Sequence, residues 1–282
     1  MPPRRLRLDA ELVRRGLARS RDHAAELIGD GRVTVGGARA TKAATAVSTD
    51  VALVVAADPA IPGGGEYVSR GGHKLAGALA AFEPGGLSVS GRRCLDAGAS
   101  TGGFTDVLLR HGALEVVAVD VGYGQLAWRL RQDDRVTVHD RTNIRDLDLA
   151  LVGEPVDVVV GDLSFISLTL VLDPLIGVTA DDGDLVLMVK PQFEVGRDRV
   201  GKGGVVRDPE LRAQAVEKVA TAAAGRGWGA RQVAVSPLPG PSGNVEFFLW
   251  LRHGAAEVSD EDIHSAVVGA DPLGVLGEKV DP

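Results

Sequence analysis

Residues 94–109, CLDAGASTGGFTDVLL, pass from a short apolar run through a glycine-rich turn into a helical pattern. Gly98, Gly102 and Gly103 let a ligand come close to the backbone, and the helix beyond them offers free N–H groups to it. The spacing departs from G-x-G-x-x-G, so the loop alone says little. The next apolar run, EVVAVD, supplies more: it ends in Asp120, about 20 residues on, where a carboxylate can accept both hydroxyls of a ribose. Loop and acid together predict an adenosyl cofactor at the carboxyl edge of a sheet. NAD and S-adenosylmethionine both fit that description.

The remaining pattern predicts the sheet. Seven runs read as strands: RRCLDAG, EVVAVD, RVTVHD, VDVVVGDL, DLVLMVK, RQVAVSPL and VEFFLWL. Most are separated by helical stretches. Near-continuous apolar strands covered by helices argue for a parallel, doubly wound sheet.

The first 57 residues read differently. LDAELVRRGLA puts Leu8, Leu12 and Val13 on one helical face, and Gly16 ends it. A second helix follows, with Ser20 as its N-cap and Gly31 as its stop. Val33 and Val35 then begin short strands, and Gly36-Gly37 make a tight hairpin turn. Residues 58–66 are rich in Gly and Pro and read as a linker. The larger domain is expected over 67–255, and residues 256–282 as a polar tail holding one short helix.

Charge is distributed unevenly between these parts. The chain carries a net −7, yet residues 1–50 hold ten Lys and Arg against six Asp and Glu. A small basic module on an acidic body suggests contact with nucleic acid. A single cysteine excludes a disulfide framework and a cysteine-rich zinc site within the chain, and no metal is expected. No apolar run approaches the roughly 20 residues of a spanning helix, so a soluble cytoplasmic protein is expected.

The chemistry is carried by ionisable residues at element ends. A lysine closing a core strand is costly to desolvate, and Lys190 stands there in DLVLMVKPQFEVG. Asp162 ends the fourth strand, Lys74 lies early in a helix leading into the sheet, and Glu246 opens an otherwise apolar strand. Adjacent strands lie about 4.8 Å apart, so the ends at Asp162 and Lys190 can meet if those strands pair. Such a group suits a hydroxyl nucleophile, which must lose its proton and be aligned for in-line attack. Base targets fit less well. The fourth strand's end lacks the Asn/Asp-Pro-Pro-aromatic stretch of amino-group methylation. Cys94, the one thiol, lies inside the first strand as a small core residue.

These stretches carry a resemblance. DAGASTGGF resembles the first motif of S-adenosylmethionine methyltransferases more than any dehydrogenase loop. Lys74, Asp162, Lys190 and Glu246 match, in order, the tetrad of the FtsJ/RrmJ-like ribose 2′-O-methyltransferases. RLDAELVRRGLARSRDHAAELIGDGRVTVGG resembles the RNA-binding domain named after ribosomal small-subunit protein S4. With YVSRGGHKL, DVGYGQLAW, DLSFISL and PSGNVEFFLWL, the combination resembles the TlyA family. The resemblance implies an α/β fold: a Rossmann-like, seven-stranded class I methyltransferase domain preceded by a small α+β RNA-binding domain. It implies S-adenosyl-L-methionine held by Asp96, Gly98, Ser100, Thr101, Gly102, Gly103, Phe104, Asp120 and Val121, with Asp140 and Asn143 near the adenine. It implies RNA contacts from Arg5, Arg7, Arg19, Ser20, Arg21, Arg32 and Lys42, and 2′-O-methylation of cytidine in ribosomal RNA. Actinobacterial members are linked to capreomycin and viomycin susceptibility, and the family also carries a hemolysin label. Ribosomal RNA or ribosomal subunits are the expected partner, with no membrane and no protein partner, and a monomer is the default. The rival readings are a non-catalytic ribosome-assembly factor, a membrane-lytic hemolysin and a nicotinamide dehydrogenase.

Overall fold

The computed structural model describes residues 5–18, 21–56, 67–240, 242–255 and 258–269. The chain divides into two compact units, Met1–Glu66 and Tyr67–Pro282. The Gly- and Pro-rich stretch at 58–66 lies outside the described residues.

The smaller unit runs β1 (Arg5–Arg7), α1 (Leu8–Arg14), α2 (Arg21–Gly29), β2 (Val33–Val35), β3 (Ala38–Arg39), β4 (Ala46–Ser48) and β5 (Leu53–Val55). β2 pairs with β3 and β5, and β1 pairs with β4, all antiparallel. Gly36 and Gly37 take φ of +55° and +86°, the left-handed values that a two-residue hairpin between β2 and β3 requires. Leu8, Leu12, Ala24, Leu27, Ile28, Val33 and Val47 close a separate core.

Helix α1 also buries two acids, which is unusual for so small a unit. Asp9 is 4% exposed and Glu11 fully buried. Each is paired twice. Asp9 accepts from Arg7 at 2.8 Å and Arg21 at 3.0 Å, and Glu11 from Arg14 at 2.6 Å and Arg15 at 2.7 Å. Arg15 donates onward to the carbonyls of Val51 and Thr49. The acids thereby anchor a set of arginine side chains.

The larger unit is a seven-stranded sheet in the order β11-β12-β10-β9-β6-β7-β8. Its strands are β6 (Arg93–Ala97), β7 (Glu115–Val119), β8 (Val136–His139), β9 (Val156–Gly161), β10 (Thr179–Val189), β11 (Trp228–Val235) and β12 (Phe247–His253). One face is covered by α3 (Arg70–Phe82), α4 (Gly103–Arg110) and α5 (Trp128–Arg131). The other face carries α6 (Leu149–Val152), α7 (Leu172–Gly177), α8 (Pro191–Glu194), α9 (Pro209–Ala224) and α10 (Asp260–Val268). With helices on both faces the central strands are buried throughout, which is why Val158, Val159 and Val160 can follow one another without alternation. Asp208 caps α9 at the Glu210 amide, with Pro209 in the first turn.

All seven sequence runs are strands, and six of them run the same way. β12 is antiparallel to both neighbours, β10 and β11. The connection from β11 to β12 has no helix, so the chain turns straight back, as hairpin-type links require. The polar tail's helix, α10, is part of the core: Ile263 and Val267 are each 1% exposed.

The buried acids of α1 make stability depend on pH. The arginine pairs lower the Glu11 carboxyl from its ordinary value near 4.5 to about 2, and hold Asp9 well below the usual carboxylate range. A lowered carboxyl stabilises the fold above its unfolded-state value and loses that contribution as pH falls. Urea titrations read on NMR amide signals of α1 should therefore show falling stability from about pH 4.5 towards pH 2. Glu11→Gln should lower stability at neutral pH and flatten that dependence.

Candidate active site

The glycine turn after β6 is built from below by Asp96, which is fully buried. Its Oδ2 accepts from the Thr105 amide at 2.9 Å and hydroxyl at 2.6 Å, fixing the first turn of α4 beneath the loop. Its other oxygen, Oδ1, has no hydrogen-bond partner. Burial pushes this carboxyl up to about 7, against the opposing pull of Thr105. Gly98 has φ of +86°, and a Cβ there would lie 2.9 Å from the Asp162 carbonyl oxygen. Only glycine lets the loop lie against the end of β9. At Gly103 a Cβ would lie 2.3 Å from Ser69 Oγ and 2.8 Å from the Gly72 amide nitrogen. The first turns of α3 and α4 touch at this point, which brings α3, and Lys74 with it, to the loop.

Asp120 follows the end of β7. Its Oδ2 accepts from the Ser100 amide at 2.8 Å and its Oδ1 from the Gly122 amide at 2.6 Å, so the acid and the glycine turn are bonded directly. Thr101 lies in the same turn, where its carbonyl accepts from the Ala127 amide. Val121 beside the acid is 69% exposed, an apolar surface open to a ring. Phe104 is 4% exposed and packs against Phe248, so its side chain serves the core and only its backbone belongs to the loop. Asp140 accepts from Arg131 at 2.5 Å and from the Gly124 amide, while exposed Asn143 caps a short 3-10 turn through the Arg145 amide. A carboxylate at the end of β7, a glycine turn with a helix start and an open apolar rim fit an adenosyl group.

The four ionisable residues form two ion pairs. Lys190, 8% exposed, follows β10 and lies 2.5 Å from Asp162 Oδ1, an ion pair without hydrogen-bond angles. β9 and β10 are parallel neighbours with Leu187 opposite Gly161, so both residues leave the sheet at one edge. Asp162 is tied back to β6 by its amide, which donates to the Ala97 carbonyl at 3.1 Å. Lys190 Nζ also donates to the hydroxyl of Ser164 at 2.8 Å. Lys74 pairs with Glu246 at 2.5 Å, with relative exposures of 7% and 1%. Val189 stands opposite Phe247, so Lys190 and Glu246 occupy the next step beyond the ladder of β10 and β12. Glu246 keeps one oxygen, Oε1, buried and without a hydrogen bond. A Cβ on Gly240 would lie 2.5 Å from that oxygen, so glycine is what leaves it room.

Ser164 escaped the sequence reading because a serine two positions after an acid looks like any loop residue. Gly240 escaped because one glycine in PLPGPSG is indistinguishable from its neighbours before the fold is known. Cys94 is fully buried, and burial pushes its thiol up to about 12, so it offers no thiolate nucleophile.

In the smaller unit Arg5, Arg7, Arg21 and Lys42 are exposed, and Arg32 is half-buried with its Nε donating to the Ala56 carbonyl. Arg7 and Arg21 converge on Asp9. Arg19 and Ser20 lie outside the described residues.

Comparison with known proteins agrees with this geometry. Residues 67–253 match the family model of the FtsJ-like methyltransferases, and residues 6–52 match the S4 domain. The 16S/23S rRNA (cytidine-2′-O)-methyltransferase TlyA of Mycobacterium tuberculosis is 61% identical over 88% of this chain and 90% of its own. Hemolysin A of Brachyspira hyodysenteriae is 37% identical over 86% of this chain and 98% of its own. A solved protein of Streptococcus thermophilus that carries a provisional hemolysin name has a TM-score of 0.74 at 36% identity, covering 95% of this chain and 96% of its own. No helix among the described residues is long and apolar enough to cross a membrane. The chain belongs to the TlyA family, in which an FtsJ-like methyltransferase domain follows an S4 domain.

Proposed function

We propose that this chain methylates the 2′-hydroxyl of cytidine in ribosomal RNA, using S-adenosyl-L-methionine as methyl donor. The observation that carries the proposal is the Lys190–Asp162–Ser164 group at the sheet edge against which the Gly98 turn lies. The relative at 61% identity is named for both 16S and 23S rRNA, and the proposal extends both subunits to this chain.

S-adenosyl-L-methionine, bound by the glycine turn and Asp120, would supply an electrophilic methyl group on sulfur. The chain's own residues prepare the other reactant. An alcohol oxygen attacks well only as its proton leaves. Lys190 Nζ assists that departure, and Asp162 and Ser164 fix where Nζ stands. Asp96 and Thr105 hold the helix start under the donor. Lys74 and Glu246, on the adjoining element ends, shape the place of the ribose. The exposed arginines of the smaller unit hold RNA phosphates and give a salt-dependent affinity. Selection rests on RNA shape and on the 2′-hydroxyl itself, with the target nucleotide turned out of its stack to reach the edge.

Transfer of radiolabelled methyl to ribosomal subunits, followed by mapping of 2′-O-methylcytidine, tests the reading. Lys190→Ala should lower transfer roughly 10²- to 10⁴-fold, the range of a lost acid–base group, with donor binding by calorimetry retained. Full activity in that variant would sink the assignment. The second pair separates stability from chemistry. Lys74→Met strands a buried Glu246 charge and should cost about 3–5 kcal/mol in denaturant titrations. Lys74→Met with Glu246→Leu should recover much of that stability and none of the methyl transfer.

A further inference from the structure

We propose that Glu194 is a positioning residue that sets the Ser164 hydroxyl, and with it Asp162, against Lys190. The inference rests on the assignment of Lys190 to proton removal made above.

Two segments meet at the carboxyl edge: the loop after β9, residues 162–168, and the turn after β10, residues 190–194. Beside the Lys190–Asp162 ion pair, two hydrogen-bonded rungs join them. The first is the Lys190 bond to Ser164 at 2.8 Å. The second is Glu194, four residues along the same turn and 4% exposed. Its Oε2 accepts from the Ser167 hydroxyl at 2.5 Å and its Oε1 from the Leu168 amide at 2.7 Å. Lys218 on α9 donates to the Glu194 carbonyl at 2.8 Å and approaches Oε2 at 3.3 Å. A buried carboxylate is costly without such partners, and here they all belong to the loop or to the helix behind it.

Between the rungs the loop is strained. Phe165 has φ of +65°, a left-handed conformation that a bulky side chain rarely takes. Phe165 is 92% exposed, with the Phe193 ring centroid 5.3 Å from its own. Packing of an exposed ring does not hold such a backbone. Strain of this kind persists where surrounding structure over-determines it. The Glu194 bonds to Ser167 and Leu168, two and three residues after the strained one, supply that determination. Released, the loop relaxes at Phe165, and the residues that move are Ser164 and the Asp162 carboxylate on the Lys190 side.

The test uses the full chain, ribosomal subunits and steady-state kinetics. Glu194→Gln should lower kcat roughly 10- to 100-fold, as small misplacements of reacting groups do, with KM for the methyl donor unchanged. Ser167→Ala removes the bond to Glu194, and with it the hydroxyl contact to Thr169, but no charge, and should lower kcat in the same direction by less. Combining Glu194→Gln with Ser164→Ala should cost little more than the worse single variant, since both act on one placement. Unchanged kcat in both Glu194→Gln and Ser167→Ala overturns the inference, as does full additivity in the double variant or a change confined to KM. If Glu194→Gln fails to fold, Ser167→Ala decides alone. Absence of transfer by the unaltered chain would instead overturn the substrate reading, and this inference with it.

Discussion

The ion pair between Lys190 and Asp162 depends on two neighbouring strands running the same way. Parallel strands end together, so the polar groups that close β9 and β10 meet at one edge of the sheet. That same edge receives the turn after β6, because the Asp162 amide is bonded to the last carbonyl of β6. The glycine turn and the Lys190–Asp162 pair are thus assembled by the sheet register itself. A slip of one residue in β10 would send Lys190 to the opposite face.

The antiparallel β12 completes the arrangement in a way a seventh parallel strand would not. A parallel neighbour of β10 would bring its carboxyl end to the site. Because β12 runs the other way, it brings its beginning, and Glu246 stands just before Phe247. The pairing with Lys74 then closes a buried ion pair across α3 and the start of β12. Such pairs are weak sources of stability compared with apolar replacements, and the proposed function gives this one a reason to stand at the edge.

Much of this was legible in the sequence because local signals and global fold agree. The seven apolar runs became the seven strands, and the order Lys74, Asp162, Lys190, Glu246 located the edge. The pairing did not follow from order. Lys74 binds Glu246, and only the approach of α3 to α4 at Gly103 decides where the lysine reaches. Ser164 and Glu194 were invisible for a similar reason. Their partners lie 26 and 27 residues away in the chain, joined only by the strand pairing. The double arginine clamps on Asp9 and Glu11 were missed because acids in a helix's first turn usually face water.

Cys94 has a practical consequence. It is the one thiol of the chain, it sits within β6, and burial holds it protonated far above physiological pH. Thiol-directed reagents therefore find no native target in the folded protein. A cysteine introduced on either unit would be the sole reactive handle, so a fluorophore or spin label can be attached at a chosen position without removing any natural residue.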